Sequence, residues 1–451
     1  MKINKLSRRE FLSTASVGTV AAVASGGIPI YGKVTKEAGK PAILGGEPVR
    51  NKPFPSWPQM NESIAESLDK SLRTRKWGRF GGKMVTTFEK KFAELMGTKR
   101  CVATGSGTQA LHSALYAVDV GAGDEVLVTP CTFVSSVSAI FLLNALPVFV
   151  DIDIETFQMD PDKMEEKING NTKAVEPVHI CGLAADMDRI NAVAKKHNLA
   201  VVEDACQAHL TEYRGKRCGN MSDVGCFSFQ STKILPCGEG GAAIGNDEEL
   251  MEKLFIFHTL GENLKRKKRT RDWVSLGPKY RMNEFEAAVL LPQLATLEDQ
   301  FNLRNKNAEY LSSRLKEIPG IYPQKKYEGA GKSSYYHYAL RYKKEHFNNI
   351  SRDKFSDALR AEKIPNSSVT YSYELNKEPF IEHTLNTRTF KRLYSKERLK
   401  RYREENECPQ NAKHCEEGVW LSHPLLLGTK KDIDDIADAV QKIYENRNKL
   451  A

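Results

Sequence analysis

The chain has 451 residues, 27% of them charged and 40% hydrophobic, and a formal net charge of +10 from 67 Lys+Arg against 57 Asp+Glu. That length accommodates two or three domains with a sizeable core, and the balance excludes a mainly disordered, collagen-like or multi-span membrane chain. The positive excess is modest and suits small anionic ligands without requiring nucleic acid, and nine cysteines with no CxxC pair point to neither a metal site nor a disulfide framework.

The N-terminus carries Ser7-Arg8-Arg9-Glu10-Phe11-Leu12, and residues 11–32 hold no charge. Ser, Thr and Gly dilute that stretch, which argues for a signal peptide rather than a spanning helix. The paired arginines followed by Glu-Phe-Leu resemble a twin-arginine export signal, and Ala22-Val23-Ala24 offers a cleavage site. Residues 1–24 are therefore expected to direct a folded protein out of the cytoplasm and to be removed, leaving an exported or periplasmic protein free of the membrane. The alternative is a cytoplasmic protein that keeps this segment as an anchor or tail. Residues 25–84 form an N-terminal segment.

From 85 to 300, short apolar runs alternate with helical patterns. Strands are predicted at 125–129, 147–150, 174–178, 200–204 and 226–229. Between them, Ala110, Leu111, Ala114, Leu115 and Val118 share one helix face, and Met187, Ile190, Val193 and Ala194 share another. This alternation predicts an α/β domain, with a large, mostly parallel mixed sheet and helices on both faces. Lys265-Arg266-Lys267-Lys268-Arg269 reads as a solvated loop rather than a nucleic-acid patch. A long helix is predicted over 294–315. Residues 301–451 read as a smaller C-terminal α+β domain, with a strand at 335–340 and a final helix at 431–446.

Four stations lie at strand ends or helix starts, where ligands of such sheets bind. Gly105-Ser106-Gly107-Thr108 precedes a helix and offers free N–H groups to an anion, or a plain N-cap. Phe133 follows a strand and can stack on a planar ring, or fill the core. Asp204 closes the run Ala200-Val201-Val202, where a buried carboxylate needs a cation or several donors; the alternative is an N-cap. Gln207 lies one turn on. Lys233 follows the strand ending in Phe227-Ser228-Phe229 and precedes the glycine-rich turn Gly238-Glu239-Gly240-Gly241-Ala242. It is either a nucleophilic amine or a snorkelling surface lysine. Taken together, an anion cradle, an aromatic, a buried carboxylate and an amine are what pyridoxal phosphate requires.

The phrases Ser106-Gly107-Thr108-Gln109-Ala110-Leu111, Gly123-Asp124-Glu125-Val126, Thr132-Phe133-Val134, Glu203-Asp204-Ala205, Gly238-Glu239-Gly240-Gly241 and Tyr280-Arg281-Met282 resemble the DegT/DnrJ/EryC1/StrS family of sugar aminotransferases, over nearly the whole mature chain. The resemblance implies the fold-type I architecture of pyridoxal-phosphate transferases and a homodimer. It implies Lys233 as the catalytic Schiff-base residue, Asp204 at the ring nitrogen, Gln207 near the ring hydroxyl and Phe133 on the ring. Ser106, Gly107, Thr108 and Ser228 would hold the phosphate, and Lys279 would reach the partner's phosphate from a position where Asn is frequent. Leu210 is a second departure, since Gly is common there. Gly45-Gly46-Glu47-Pro48-Val49-Arg50 and Trp77-Gly78-Arg79 look like the branch with scyllo-inosose aminotransferases and aminohydroxybenzoate synthases.

The expected activity is transfer of an amino group from glutamate or glutamine to a keto-sugar or keto-cyclitol. Export favours a free acceptor over a nucleotide-linked one. The alternatives are a pyridoxal-phosphate dehydratase, in which the family's lysine is replaced by histidine, and a non-catalytic regulator on the same fold.

Overall fold

Seven short apolar segments pair into one sheet. They are β1 (Arg100–Thr104), β2 (Glu125–Val128), β3 (Leu146–Phe149), β4 (Thr172–Glu176), β5 (Ala200–Asp204), β6 (Val224–Ser228) and β7 (Gly241–Gly245). The computed structural model describes residues 39–265 and 272–451. The segment expected to be an export signal and most of the basic run at 265–269 lie outside the described residues.

The strand order is β1-β7-β6-β5-β4-β2-β3. Strands β2 to β6 run parallel, and β7 is antiparallel to both of its neighbours. Period-two alternation splits the apolar side chains between two faces. Leu127, Val175, Val201 and Phe227 join one core, and Val126, Ala174, Val202 and Cys226 join the other. α1 (Glu62–Arg73) packs along the long helix described below, and part of that helix, with α2 (Met84–Met96) and the helix between β4 and β5, covers the first face. The second is covered by α3 (Gly107–Ala117), α4 (Val134–Leu142) and, near β1, α6 (Glu248–His258). The helix between β4 and β5 is α5 (Met187–Lys196). The predicted mixed sheet with helices on both faces is what the chain forms.

Two features differ from expectation. Gly241 and Ala242 were expected in a turn, yet they begin β7, inside the sheet. A Cβ on Gly241 would stand 2.3 Å from the Ser106 carbonyl oxygen, so only glycine lets this strand pass under the start of α3. The long helix α7 (Glu284–Leu315) begins ten residues before the predicted position. Asn283 and Glu286 form a capping box at its start, and Pro292 lies inside it.

The C-terminal part has its own sheet of β8 (Ile321–Pro323), β9 (His337–Tyr342) and β10 (Gly418–Ser422), all antiparallel. It packs with the end of α7, with α8 (Arg352–Ala361) and with α13 (Lys430–Glu445), the helix expected at 431–446. Between α8 and β10 four further helices, α9 to α12, span Pro379–Leu385, Arg388–Leu393, Lys396–Glu405 and Pro409–Glu417. Phe390, Leu399 and Tyr402 from this group pack on the outer part of the large sheet. Among the described residues no helix is long and apolar enough to cross a membrane.

Candidate active site

The carboxyl ends of β5 and β6, the start of α3 and the start of α4 converge on one cavity of about 920 Å³. Ser106, Gly107, Thr108, Phe133, Asp204, Gln207, Ser228 and Lys233 all line it. Eight of the nine residues singled out from the sequence are therefore brought together. The ninth, Lys279, is exposed and pairs with Thr259 outside this cavity.

Asp204 is the last residue of β5 and only 5% exposed. The segment after it is not helical, so it is not an N-cap. Its Oδ2 accepts from Ser136 Oγ at 2.8 Å and its Oδ1 from Cys206 N at 3.1 Å. Two donors from the protein fix the carboxylate at the cavity wall.

Ser106 is the N-cap of α3, accepting from Gln109 N at 3.2 Å, and it also lines the cavity. The first-turn N–H groups that follow have no partner inside the helix and carry the positive end of its dipole. A Cβ on Gly107 would stand 2.8 Å from Ser228 Cβ and 3.0 Å from Cys206 Sγ. The glycine thus lets the helix start approach β6 closely. Thr108 Oγ1 donates to Ser135 Oγ at 2.8 Å.

Phe133 is 53% exposed, which rules out a core role. Gln207 is buried. Its Oε1 accepts from Cys181 N at 2.8 Å and its Nε2 donates to the Tyr371 hydroxyl at 2.9 Å. Leu210 holds φ at +65° with its side chain fully buried. Left-handed backbone costs a leucine roughly 1–2 kcal/mol. Its packing in the core beneath the site opposes that cost.

Lys233 sits in the turn after β6, half-buried. Its Nζ lies 4.3 Å from the centroid of the Tyr336 ring. Its carbonyl accepts from Trp57 Nε1 at 3.0 Å. The Trp57 ring in turn meets the edge of His423 at 4.6 Å. Burial, with Lys233 adding to it, pushes His337 down to about 3, and burial holds His423 well below its ordinary range. Both are neutral, and the Nδ1 of each lacks a hydrogen-bond partner among the described residues.

Trp57, Tyr336, His337, Tyr371 and His423 were not anticipated as site residues. The run Tyr335-Tyr336-His337 reads as a strand, and nothing in its spacing shows which side chain faces a cavity built by another part of the chain. Trp57 lies in an irregular Pro-rich stretch, Phe54-Pro55-Ser56-Trp57-Pro58, with no periodicity to read.

The residues present fit pyridoxal phosphate. The helix start with its glycine cradle suits a phosphate. The exposed Phe133 suits a flat ring, and the clamped Asp204 suits a protonated ring nitrogen. Lys233 is the one cationic side chain among the lining residues, and the volume exceeds that of the cofactor alone.

Residues 58–441 match the DegT/DnrJ/EryC1/StrS aminotransferase family. The chain is 35% identical over 432 residues to an L-glutamine:2-deoxy-scyllo-inosose aminotransferase of Streptoalloteichus tenebrarius, covering 91% of this chain and 98% of that protein. It is 34% identical over 428 residues to the enzyme of the same name from Streptomyces kanamyceticus, with the same coverage. Among solved structures, 3-amino-5-hydroxybenzoic acid synthase superposes with a TM-score of 0.78 at 30% identity, over 88% of this chain and 100% of that one. An aminotransferase from Psychrobacter cryohalolentis superposes with the same TM-score and coverage at 28% identity. Fold, cavity and likeness over most of the length converge: the chain belongs to the DegT/DnrJ/EryC1/StrS aminotransferase family and is an aminotransferase with the fold-type I architecture.

Proposed function

We propose that this aminotransferase moves the amino group of glutamine to the ketone of a free keto-cyclitol, with pyridoxal phosphate as cofactor. The observation that carries the choice of acceptor is the cavity wall. Apart from Lys233, its polar side chains are hydroxyls, amides, neutral imidazoles, the Trp57 indole, the Cys206 thiol and the carboxylates of Asp204 and Glu239. Thr370, Tyr371, Tyr373, Ser422 and His337 can each exchange hydrogen bonds with ring hydroxyls. A nucleotide-linked sugar would bring a diphosphate, which arginine or several lysines would have to neutralise. The relatives named above act with glutamine on 2-deoxy-scyllo-inosose, which agrees with an uncharged polyol.

Pyridoxal phosphate, when bound, supplies an aldehyde that condenses with amines and a protonated ring that withdraws electrons from the carbon being deprotonated. Asp204 would accept the ring N–H, held in place by Ser136 and Cys206. Ser106, Gly107, Thr108 and Ser228 would hold the phosphate, with Phe133 against the ring. Gln207, fixed by Cys181 and Tyr371, would stand by the ring hydroxyl. Lys233 Nζ would take the proton from the donor's Cα and return one to the acceptor carbon. Trp57 holds the Lys233 backbone by its carbonyl, and the Tyr336 ring bounds the space in which Nζ moves.

The test is spectroscopic and then preparative. Loaded with pyridoxal phosphate, the protein should absorb in the visible, lose that band on adding glutamine and regain it on adding 2-deoxy-scyllo-inosose. Lys233→Ala should abolish turnover. Amination of nucleotide-linked ketosugars alone, with inososes ignored, would overturn the choice of acceptor.

Two further readings belong to this proposal. Residues 1–24 act as a twin-arginine signal that exports the loaded protein, which cell fractionation of a tagged full-length chain tests. The enzyme works as a homodimer in which Lys279, exposed and outside its own cavity, serves the partner's site. The oligomeric state in solution, with the cofactor affinity of Lys279→Ala, tests that.

A further inference from the structure

Glu176 ends β4, the strand beside Asp204, and plays no part in the reaction as described. Parallel register pairs Ala174 with Ala200 and Val175 with Val201, so Glu176 falls opposite Val202; on its other side it pairs with Val128. Period-two alternation puts its side chain on the face shared by Val202 and Asp204. Apart from Asp204 and the hydroxyls of Ser136 and Thr132, that face is apolar, and it lies under α3 and α4. Glu176 is fully buried, and neither carboxyl oxygen accepts a hydrogen bond among the described residues.

A valine or leucine would fill this place at no polar cost. A carboxylate here would be an unpaired buried charge next to a second carboxylate, which is among the costliest arrangements in a protein. Burial first and Asp204 second hold the Glu176 carboxyl well above its ordinary range, against a smaller opposing contribution from Ser136. The ionisable groups that face it are Asp204 on β5 and the Cys226 thiol on β6, itself pushed up by burial and then by Asp204 and Glu176. Neither is a cation. The side chain is therefore a neutral acid with a proton to donate. The hydroxyl that acts on it is that of Ser136 on α4, which lies 2.8 Å from Asp204 Oδ2 and 2.8 Å from Thr132 Oγ1.

We propose that Glu176 is a positioning residue for Asp204: its carboxyl O–H donates to Ser136 Oγ, the Ser136 hydroxyl then donates to Asp204 Oδ2, and the carboxylate is held aimed at the cavity without a second negative charge behind it. Donors supplied to the charged form favour it, and linked hydrogen bonds strengthen one another. The inference rests on the reading that Asp204 faces the ring nitrogen of the cofactor.

Two variants separate its parts. Glu176→Gln keeps the shape and a donor; Glu176→Leu fills the apolar face and removes the donor. In the cofactor-free protein, the folded state keeps a proton on Glu176 that the unfolded chain loses above its ordinary range. Wild-type stability is therefore reduced as pH rises from about 5 to 8, relative to either variant. The melting temperature of Glu176→Gln minus that of wild type should grow with pH over this range. A flat difference overturns the neutral acid, and with it the proposal. In the loaded protein, the pH midpoint of the cofactor's visible band should stay at the wild-type value in Glu176→Gln and move by about one unit, a tenfold change, in Glu176→Leu. Equal midpoints in all three proteins, or equal shifts in both variants, overturn the relay. If Glu176→Leu does not fold, the pH dependence of Glu176→Gln decides. Asp204→Asn is the control for the underlying reading. If it leaves the spectrum unmoved, the reading of Asp204 fails; if it moves the spectrum and Glu176→Leu does not, only the present inference fails.

Discussion

Gly107 shows how much of the site depends on one missing methyl. An added Cβ would meet Ser228 Cβ at 2.8 Å and Cys206 Sγ at 3.0 Å, atoms close to the backbone of β6 and of the turn after β5. Neither can swing aside as the end of a long side chain would, so Gly107→Ala must push the start of α3 away from the strand ends. The N–H groups offered to the phosphate move with it. The expected result is a folded protein whose affinity for pyridoxal phosphate falls by about tenfold or more, roughly 1.4 kcal/mol. Titration of the apoprotein by absorbance checks it; an unchanged Kd would mean that the phosphate is held elsewhere. At this scale the sequence was informative where a residue contradicts its surroundings. Asp204 at the end of a strand that opens with three apolar residues, and Lys233 between a strand and a glycine-rich turn, stand out because burying a charge needs a reason. Trp57 and His423 do not, since an aromatic ring among prolines or before a short helix contradicts nothing. Glu176 lay in plain view inside an expected strand, and only the register that sets it beside Asp204 gives it meaning.

Among the elements, the stretch that delivers Trp57 is the one with no regular structure of its own beyond a short turn at Ala42–Leu44. It is tied down by buried charges. Glu362, fully buried at the end of α8, accepts from Ala42 N at 2.7 Å, from Val49 N at 2.8 Å and from Lys442 Nζ at 3.0 Å. Arg50 lies between Asp432 at 2.6 Å and Asp435 at 2.9 Å, over the Phe54 ring. Removing one partner of a buried pair strands the other, at about 3–5 kcal/mol. Glu362→Ala should therefore lower stability by that order, and should leave residues 40–58 open to proteolysis at a protease level that spares the wild type. It should also lower turnover, because Trp57 then loses its hold on the Lys233 carbonyl. Urea unfolding and timed digestion check the two parts; loss of stability with no new cleavage would show that Arg50 alone holds the strap. The parallel strands and the last helix were legible from apolar period and length. Strand β7 was not, because its two glycines and two alanines read as a turn, and its small residues answer to the helix packed above it. The first ten residues of α7 were hidden by Pro292, and helices α9 to α12 by their shortness and high charge.

The whole molecule gathers its site from distant parts of the chain: Trp57, the strand ends from Ser106 to Lys233, and Tyr336 to His423 from the C-terminal sheet. It also buries more imidazole than the reaction needs, and this sets a direction for stability with pH. Burial lowers His112 to about 4, His209, His258, His337 and His414 to about 3, and His423 well below its ordinary range. Each stays neutral in the folded protein where the unfolded chain would already be protonated, at an ordinary value of about 6.5. Unfolding then takes up protons, and stability falls as pH drops through that value. Glu89, Asp160, Glu176 and Glu286, raised chiefly by burial, act the other way, since they keep protons that the unfolded chain releases. His179, raised to about 10, against burial, by Cys218 and by Glu203 at 2.9 Å, acts with these carboxyls. The six lowered imidazoles outnumber these five groups, and below its ordinary value the unfolded chain's copy of His179 is protonated too, so the net slope between about pH 5 and 6 carries the sign of the lowered histidines. The urea midpoint of the cofactor-free protein should therefore decrease steadily from pH 7 to pH 5. Calorimetric unfolding in two buffers of different ionisation enthalpy should show net proton uptake at pH 5.5. The effect should shrink in His414→Phe, a ring outside the cavity lining that packs against Phe157 and Trp420, whereas a level midpoint across that range would mean that the buried rings are protonated in the folded state and that His337 and His423 meet the acceptor as cations.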